Sequence, residues 1–206
     1  MGKITSLFWD VGGVILTNGW DRTSRQRAAE QFKLDWDDFQ DRQELVIQQL
    51  ETGQMKLEEY LERTIFYRSR SFTKDEFKAF MFAQSQPKLE AISIVEQLAR
   101  SGKFLMATVN NESLELNLYR IEKFRLRRYF TVFFSSCFLG VRKPDGAIYR
   151  LALEITQRPP EECLFIDDRA LNLECAQVLG MRTIRYQNPA QLRHELRSNG
   201  VEIPAA

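Results

Sequence analysis

The amino-acid sequence predicts an α/β protein. We expect a Rossmann-like parallel sheet with helices on both faces, plus a small helical bundle inserted after the first strand. From residue 87 onwards, apolar runs of strand length alternate with amphipathic helical patterns, which is typical of a parallel sheet covered on both faces. Before that point, residues 19–86 carry only helical patterns. The expected organisation is therefore an α/β core domain of residues 1–18 and 87–206 and a helical domain of residues 19–86.

Composition narrows the class of protein. A chain of 206 residues with 44% hydrophobic and 28% charged residues suits one sizeable globular domain with a smaller insert. The net charge of +1 gives no case for a nucleic-acid or membrane partner. We expect a cytoplasmic protein, because no apolar run approaches the roughly 18 residues of a membrane span and the first strand follows without an apolar leader. Nothing in the sequence indicates an oligomeric state.

The counts of histidine and cysteine exclude two kinds of site. His194 is the sole histidine, so a Ser–His–Asp triad or a histidine-rich metal site is not expected. The three cysteines lack C-x-x-C spacing and are expected to be reduced packing residues. One basic cluster is expected to form a solvated face. It consists of Arg120, Lys123, Arg125, Arg127 and Arg128.

The first strand ends at a carboxylate. Residues 4–17 read ITSLFWDVGGVILT, an apolar run that stops at Asp10 and is followed by Gly12 and Gly13. A strand that ends in this way presents its carboxylate at the carboxyl edge of the sheet, where open α/β folds place their ligands. An isolated D-x-G-G would more often be a turn that caps a helix. The functional interpretation therefore depends on the strands that follow.

The helical domain shows four helical patterns, over about residues 23–32, 38–50, 57–67 and 73–83. Thr73 and Glu76 have the spacing of a capping box at the start of the fourth. The region is rich in large aromatic residues, which a bundle of short helices needs to form a core. Some of these rings could instead line a substrate pocket.

Further apolar runs end close to polar residues in the core. Strands are expected over about residues 103–108, 132–134, 163–166 and 181–186. Because the carboxyl ends of parallel strands lie along one edge, the residues that follow them should meet in space. These residues are Asp10, Thr108, Lys143, Asp167 and Asp168.

Such a set of side chains predicts a metal and a phosphate. Unit charges at ~4 Å interact by several kcal/mol in a partly desolvated cleft, so three carboxylates need a cation among them. A hard divalent ion with oxygen ligands fits, and Mg²⁺ is the expected one. The hydroxyl of Thr108 could donate to a phosphate oxygen, and the ammonium of Lys143 could offset charge on the nucleophile and the phosphoryl group.

With these motifs the sequence resembles the haloacid dehalogenase superfamily of hydrolases, most of whose members are phosphatases. The motifs are Asp10-Val-Gly-Gly-Val, Thr108 at the end of the next core strand, Lys143 before a proline, and the pair Asp167-Asp168. The D-x-G-G form looks most like a bacterial branch that includes sugar-phosphate phosphatases. The resemblance implies that the helical insert is a cap that closes over the site and selects substrates.

The resemblance also implies roles for individual residues. Asp10 would be the nucleophile that forms an aspartyl-phosphate. It would also bind Mg²⁺, together with the backbone carbonyl of Gly12 and with Asp168, while Asp167 supports the site directly or through water. Two residues after the second core strand, Asn110 and Asn111, would contact the phosphate or the closing cap, although a capping turn explains them equally well.

Gly12 departs from the family pattern. Most phosphatases of this superfamily have an aspartate there, which protonates the leaving oxygen and later activates water. Losing a positioned acid/base typically costs about 10²–10⁴ in rate. Three alternatives follow: the enzyme acts on substrates with good leaving groups, or the proton comes from Glu112, Asp21 or water, or the fold serves for binding with little turnover.

The expected function is a Mg²⁺-dependent phosphohydrolase that acts on a small phosphorylated metabolite. The alternative is a catalytically weak phosphate-binding or regulatory protein, which Gly12 favours and the intact five residues at the strand ends disfavour. Dehalogenation of a 2-haloacid is disfavoured by Asp167-Asp168, because that reaction needs no metal. A receiver-domain phosphoacceptor would have its acidic pair early in the chain and no helical insert.

Overall fold

The computed structural model describes residues 2–204. Within them, five strands form one fully parallel sheet in the order β3-β2-β1-β4-β5. The α/β class with a Rossmann-like sheet is thereby confirmed. The strands are β1 (Ser6–Trp9), β2 (Leu105–Asn110), β3 (Val132–Ser135), β4 (Cys163–Asp167) and β5 (Arg182–Arg185).

Helices connect the strands. Five of them lie between β1 and β2: α1 (Arg22–Phe32), α2 (Trp36–Glu51), α3 (Leu57–Thr64), α4 (Lys74–Ala83) and α5 (Leu89–Arg100). The others are α6 (Leu114–Lys123), α7 (Ser136–Leu139), α8 (Gly146–Thr156), α9 (Ala170–Val178) and α10 (Pro189–Ser198). In the part of the chain that the structure describes, no helix is long and apolar enough to cross a membrane.

The position of β1 decides where the site lies. All four residues of β1 are buried, as expected for a central strand with both faces covered. It pairs with β2 on one side and β4 on the other, so that Trp9 lies opposite both Thr108 and Ile166. The strand order reverses at β1, because β2 and β3 lie on one side of it and β4 and β5 on the other. Asp10 follows β1 directly. Such a switch point is where open α/β sheets bind ligands.

Helices α1–α4 form an insertion with a hydrophobic cluster built on aromatic rings. Trp20 packs edge-on against Phe77 at 5.8 Å between ring centroids, and its indole N–H donates to the Tyr60 hydroxyl at 2.8 Å. These contacts satisfy the polar ends of large rings while their apolar faces are buried. The capping box expected at Thr73 and Glu76 is present at the start of α4. The aromatic residues therefore serve mainly to pack this bundle.

The two chain segments at the base of the insertion are joined to each other. Thr17 donates its backbone N–H to the carbonyl of Gln86 at 2.8 Å, and its hydroxyl donates to the carbonyl of Gln84 at 2.6 Å. Arg120 on α6 then donates to the carbonyl of Thr17 and to the hydroxyl of Ser85, both at 2.9 Å. One guanidinium thus ties both segments to the core.

Candidate active site

A cavity of about 200 Å³ lies at the carboxyl edge of the sheet, between the strand ends and α2 of the insertion. Its walls come from the segment after β1, from the last turns of α2 and from the loops after β2, β3 and β4. The residues that line it include Asp10, Gly12, Trp20, Asp21, Glu51, Asn111, Glu112, Arg120, Arg142, Lys143, Arg169 and Asn172. Of the five residues expected at the strand ends, Asp10 and Lys143 line this cavity, which the core and the insertion share.

Lys143 joins two of the carboxylates that the sequence places far apart. Its ammonium nitrogen lies 3.0 Å from Asp10 Oδ1 and 2.7 Å from Asp167 Oδ2. Burial acts to lower the pKa of Lys143, but Asp10 and Asp167 outweigh it and raise that pKa. The lysine therefore stays charged and fixes the two carboxylates against each other.

Asp167 and Asp168 are neighbours with opposite surroundings. Asp167 is fully buried and accepts hydrogen bonds from Lys143 and from the backbone N–H of Arg169. The amide nitrogen of Asn172 also donates to both of its carboxylate oxygens. Asp168 is only half-buried, and its Oδ1 accepts no hydrogen bond from any residue within 2–204. Asp167 is therefore a positioning group, whereas Asp168 has an oxygen left for a ligand.

Gly13 makes room for Asp168. A Cβ at position 13 would lie 2.3 Å from Asp168 Oδ2, which is closer than any real side chain allows. The backbone of Gly13 also has a φ of 78°, in the left-handed region that favours glycine. The second glycine of the D-x-G-G motif is thus required by conformation and by the approach of the acidic pair.

The carboxylate cluster (Asp10, Asp167 and Asp168) has the composition of a metal site. Each of the three offers an oxygen within 4.8 Å of the others. Burial raises the pKa of Asp10 to about 7, although Lys143 pulls it down. Burial and the charge of Asp167 also raise the pKa of Asp168. One lysine does not neutralise three carboxylates, and a hard divalent cation with oxygen ligands such as Mg²⁺ fits this donor set.

Thr108 lies deeper than the cavity wall. Its side chain is fully buried in β2, and its hydroxyl has no hydrogen-bond partner among the described residues. A buried hydroxyl without a partner costs roughly 1–3 kcal/mol. Together with the strand register, which sets Thr108 beside the end of β1, this makes it a suitable donor to an anionic oxygen near Asp10.

The two asparagines expected to follow the second core strand have different surroundings. Asn111 lines the cavity, and its side chain forms a pair of 2.8 Å hydrogen bonds with the backbone N–H and carbonyl of Lys143. Asn110 lies in β2, 2% exposed, with its amide bonded to Asn117 and its carbonyl accepting from the hydroxyl of Ser135. The structure therefore brings Asn111 to the cavity and does not bring Asn110 there.

Arg120 is a residue of this region that the sequence interpretation placed wrongly. It was expected on a solvated basic face, but its side chain is 2% exposed and its Nη1 lies 2.9 Å from Glu112 Oε2. Arg120 lies four residues after Leu116 on the buried face of α6, but this spacing alone does not tell a buried arginine from a solvated one. We call Glu112 and Arg120 the Arg120 pair.

The space over Gly12 is occupied by other side chains. A Cβ at this position would lie 3.0 Å from Asn18 Oδ1 and 3.6 Å from Arg120 Nη1. Gly12 has a negative φ, so its backbone conformation does not require glycine. Position 12 therefore has no carboxylate, and the guanidinium of Arg120 lies beside it.

A family model described as haloacid dehalogenase-like hydrolase matches residues 4–180. The chain belongs to this family. The match includes every strand-end residue discussed above, from Asp10 to Asp168, and it confirms the resemblance drawn from the motifs. The protein is thus a haloacid dehalogenase-like hydrolase.

Similar proteins support this assignment. A HAD family enzyme from Bacteroides thetaiotaomicron has a TM-score of 0.79 at 20% identity, covering 90% of this chain and 95% of that one. A structure of the wild-type enzyme in complex with magnesium and inorganic phosphate has a TM-score of 0.73 at 22% identity, with coverage of 89% and 94%. These likenesses show the fold.

One curated relative is similar in sequence. A chloroplast flavin mononucleotide hydrolase from Arabidopsis thaliana is 29% identical over 146 residues, which cover 71% of this chain and 59% of that protein. The chain therefore matches only part of the length of this relative.

Proposed function

We propose that this hydrolase is a Mg²⁺-dependent phosphatase that acts on a small phosphorylated metabolite through an aspartyl-phosphate intermediate. The observation that carries the proposal is the arrangement at the end of β1. The carboxylate of Asp10 lies between a charged lysine, an acidic residue with an unused oxygen and a buried hydroxyl without a partner. A cation and a phosphate are the two ligands that together satisfy all of these groups.

The metal would be held by Asp10, by the backbone carbonyl of Gly12 and by Asp168, with Asp167 in support. When bound, Mg²⁺ neutralises charge on the carboxylates and on the phosphoryl oxygens and so lowers the barrier for an anionic nucleophile to approach an anionic substrate. Asp167 is engaged by Lys143 and Asn172, which suits it to holding the site in shape.

The remaining residues position the nucleophile and stabilise the transferring phosphoryl group. Lys143 holds the Asp10 carboxylate by the 3.0 Å ion pair and brings a positive charge to the transferring phosphoryl group. Asn111 fixes the backbone of Lys143 and is exposed to the cavity, where it can also contact substrate. Thr108 donates its hydroxyl to a phosphoryl oxygen. Asp10 attacks phosphorus, the bond to the leaving oxygen breaks, and water then releases phosphate from the aspartyl group.

We propose that residues 19–86 act as a cap on the core. Trp20, Ile47, Leu50 and Glu51 of the insertion line the same cavity as Asp10. A volume of about 200 Å³ suits a small substrate, and the insertion supplies the surfaces that the non-reacting part of a substrate would contact. Substrate selection would then depend on these four side chains.

The test is a panel of phosphorylated metabolites assayed with and without Mg²⁺. The panel includes sugar phosphates, flavin mononucleotide and 4-nitrophenyl phosphate, with phosphate release as the readout. The proposal predicts release that requires Mg²⁺ and is lost with EDTA. The same activity in EDTA would contradict the metal-dependent mechanism.

The second candidate is a phosphate-binding protein with little turnover. The observation that favours it is Gly12, because no acid occupies the family position and Arg120 lies beside it. This alternative predicts that inorganic phosphate raises the melting temperature in the presence of Mg²⁺ while every member of the panel stays intact.

A further inference from the structure

The cavity contains a carboxyl group on the insertion that the phosphatase mechanism leaves unused. Glu51 is the last residue of α2, and its side chain is 22% exposed. Its backbone carbonyl accepts a 2.5 Å hydrogen bond from the hydroxyl of Ser136 at the start of α7. The end of α2 is thereby fixed to the core, and the side chain of Glu51 lines the same cavity as Asp10.

The carboxyl of Glu51 is incompletely paired. Its Oε2 lies 3.0 Å from Arg142 Nη1, but the N–H is not directed at it, and this oxygen accepts no hydrogen bond within the described chain. Burial raises the pKa of Glu51, while Arg142, Arg169 and Arg25 and, more weakly, Lys143 lower it. Glu112 is the nearby like charge, since Glu51 contributes to raising the pKa of Glu112. A proton is thus easier to place on Glu51 than on an exposed glutamate.

The other candidate donors are engaged or distant. Asp21 accepts from the backbone N–H of Ser24 as the N-cap of α1. Burial raises the pKa of Glu112 to about 7, but Oε1 accepts from the backbone N–H of Ser113 and Oε2 is paired with Arg120 at 2.9 Å. His194 is exposed on α10, which packs against α5 away from the cavity.

We propose that Glu51 supplies the leaving-group proton that Gly12 cannot, as a general acid carried by the insertion. The proposal rests on the phosphatase function above. As Asp10 forms its bond to phosphorus, the bond from phosphorus to the leaving oxygen breaks, and that oxygen takes its proton from Glu51. The resulting carboxylate is stabilised by Arg142. It then accepts a proton from the water that attacks the aspartyl-phosphate, which releases phosphate and restores the acid.

The proposed acid and the nucleophile lie on different parts of the protein. Glu51 is on the insertion and Asp10 on the core, so the acid and the nucleophile act together only while α2 contacts α7. An open insertion would separate them. Hydrolysis of esters that need a proton is therefore coupled to closure, whereas esters with good leaving groups can react without it.

The experiment compares kcat/KM with leaving-group pKa for a series of aryl and alkyl phosphates. In Glu51→Gln we expect a loss of about 10²-fold on alkyl phosphates and only a few-fold on 4-nitrophenyl phosphate, so the dependence becomes steeper. Arg142→Gln is the matched control, because it removes the same ion pair and keeps the acid. Its line should be only slightly steeper than that of the wild type, because the acid remains and loses only the arginine that stabilises its carboxylate.

Two outcomes would overturn the proposal. Parallel lines for Glu51→Gln and wild type, in protein with an unchanged melting temperature, would show that Glu51 gives no proton. A steeper line in Glu112→Gln instead would assign the donor to Glu112. Failure of the proposed function is distinct from both, because the wild type would then not hydrolyse even 4-nitrophenyl phosphate in the presence of Mg²⁺.

Discussion

The carboxylate cluster and the Arg120 pair are two buried groups of charged residues that differ in the balance of positive and negative charge. The carboxylate cluster carries three acids against one lysine and leaves atoms of Asp168 and Thr108 without partners in residues 2–204. The Arg120 pair has one charge of each sign, and Arg120 also donates to Ser85 and to the backbone of Thr17. We infer that a buried group whose charges are all paired supports the fold, whereas a group that leaves charges and polar atoms without partners binds a ligand. Four sets of substitutions test this distinction.

The largest effect is expected for Asp10→Asn. The change removes the nucleophile, and we expect phosphatase activity to fall on the order of 10⁴-fold or more. The fold should persist, because asparagine has nearly the volume of aspartate and the change removes a buried charge. Activity and melting temperature measured without Mg²⁺ check both parts. A variant that keeps wild-type turnover would exclude an aspartyl-phosphate at this residue.

Arg120→Met should mainly affect stability. It leaves the Glu112 carboxylate buried without its partner, and we expect the free energy of unfolding to fall by about 3 kcal/mol. The double variant Arg120→Met, Glu112→Met should regain much of this loss, because no unpaired charge remains. Urea denaturation measures all three proteins. A single variant as stable as the wild type would mean that the pair contributes no structural support.

Asp168→Asn and Asp167→Asn should separate ligand binding from positioning. We expect Asp168→Asn to raise the Mg²⁺ concentration for half-maximal activity by about 10–100-fold, because it removes the oxygen that is free to bind. Asp167→Asn should instead lower stability, since it breaks the 2.7 Å ion pair to Lys143. Magnesium titrations and thermal unfolding distinguish the two. Equal magnesium requirements would contradict the division of roles.

Gly12→Asp should have the smallest effect. Its carboxylate would lie beside Arg120, since even the Cβ is 3.6 Å from Nη1, and an adjacent guanidinium keeps an aspartate ionised. We therefore expect less than a tenfold gain on alkyl phosphates, well below the effect of a working general acid. Rates for alkyl esters in folded protein provide the measurement. A gain of about 10²-fold would show that Arg120 does not keep the new aspartate ionised.

Much of the fold could be predicted because its signals are local. The four helical patterns expected between residues 23 and 83 are helices α1–α4, and the expected capping box starts α4. The strand ends identified the carboxylate cluster because parallel strands share one edge. Arg120 and Glu51 could not be found in this way. Their importance depends on which side chains face them across the cavity, and helical spacing alone cannot distinguish a buried arginine from a solvated one.

The closed base of the insertion has a consequence for exchanging it. The hydrogen bonds of Thr17 with Gln84 and Gln86 bring the two ends of a long segment together. The entropy of closing a loop depends only weakly on its length, about 0.6 kcal/mol for each doubling. The same base could therefore carry a larger or smaller insertion at little cost to the sheet. The insertion can therefore be replaced by another one while Asp10 and Lys143 keep their positions in the core.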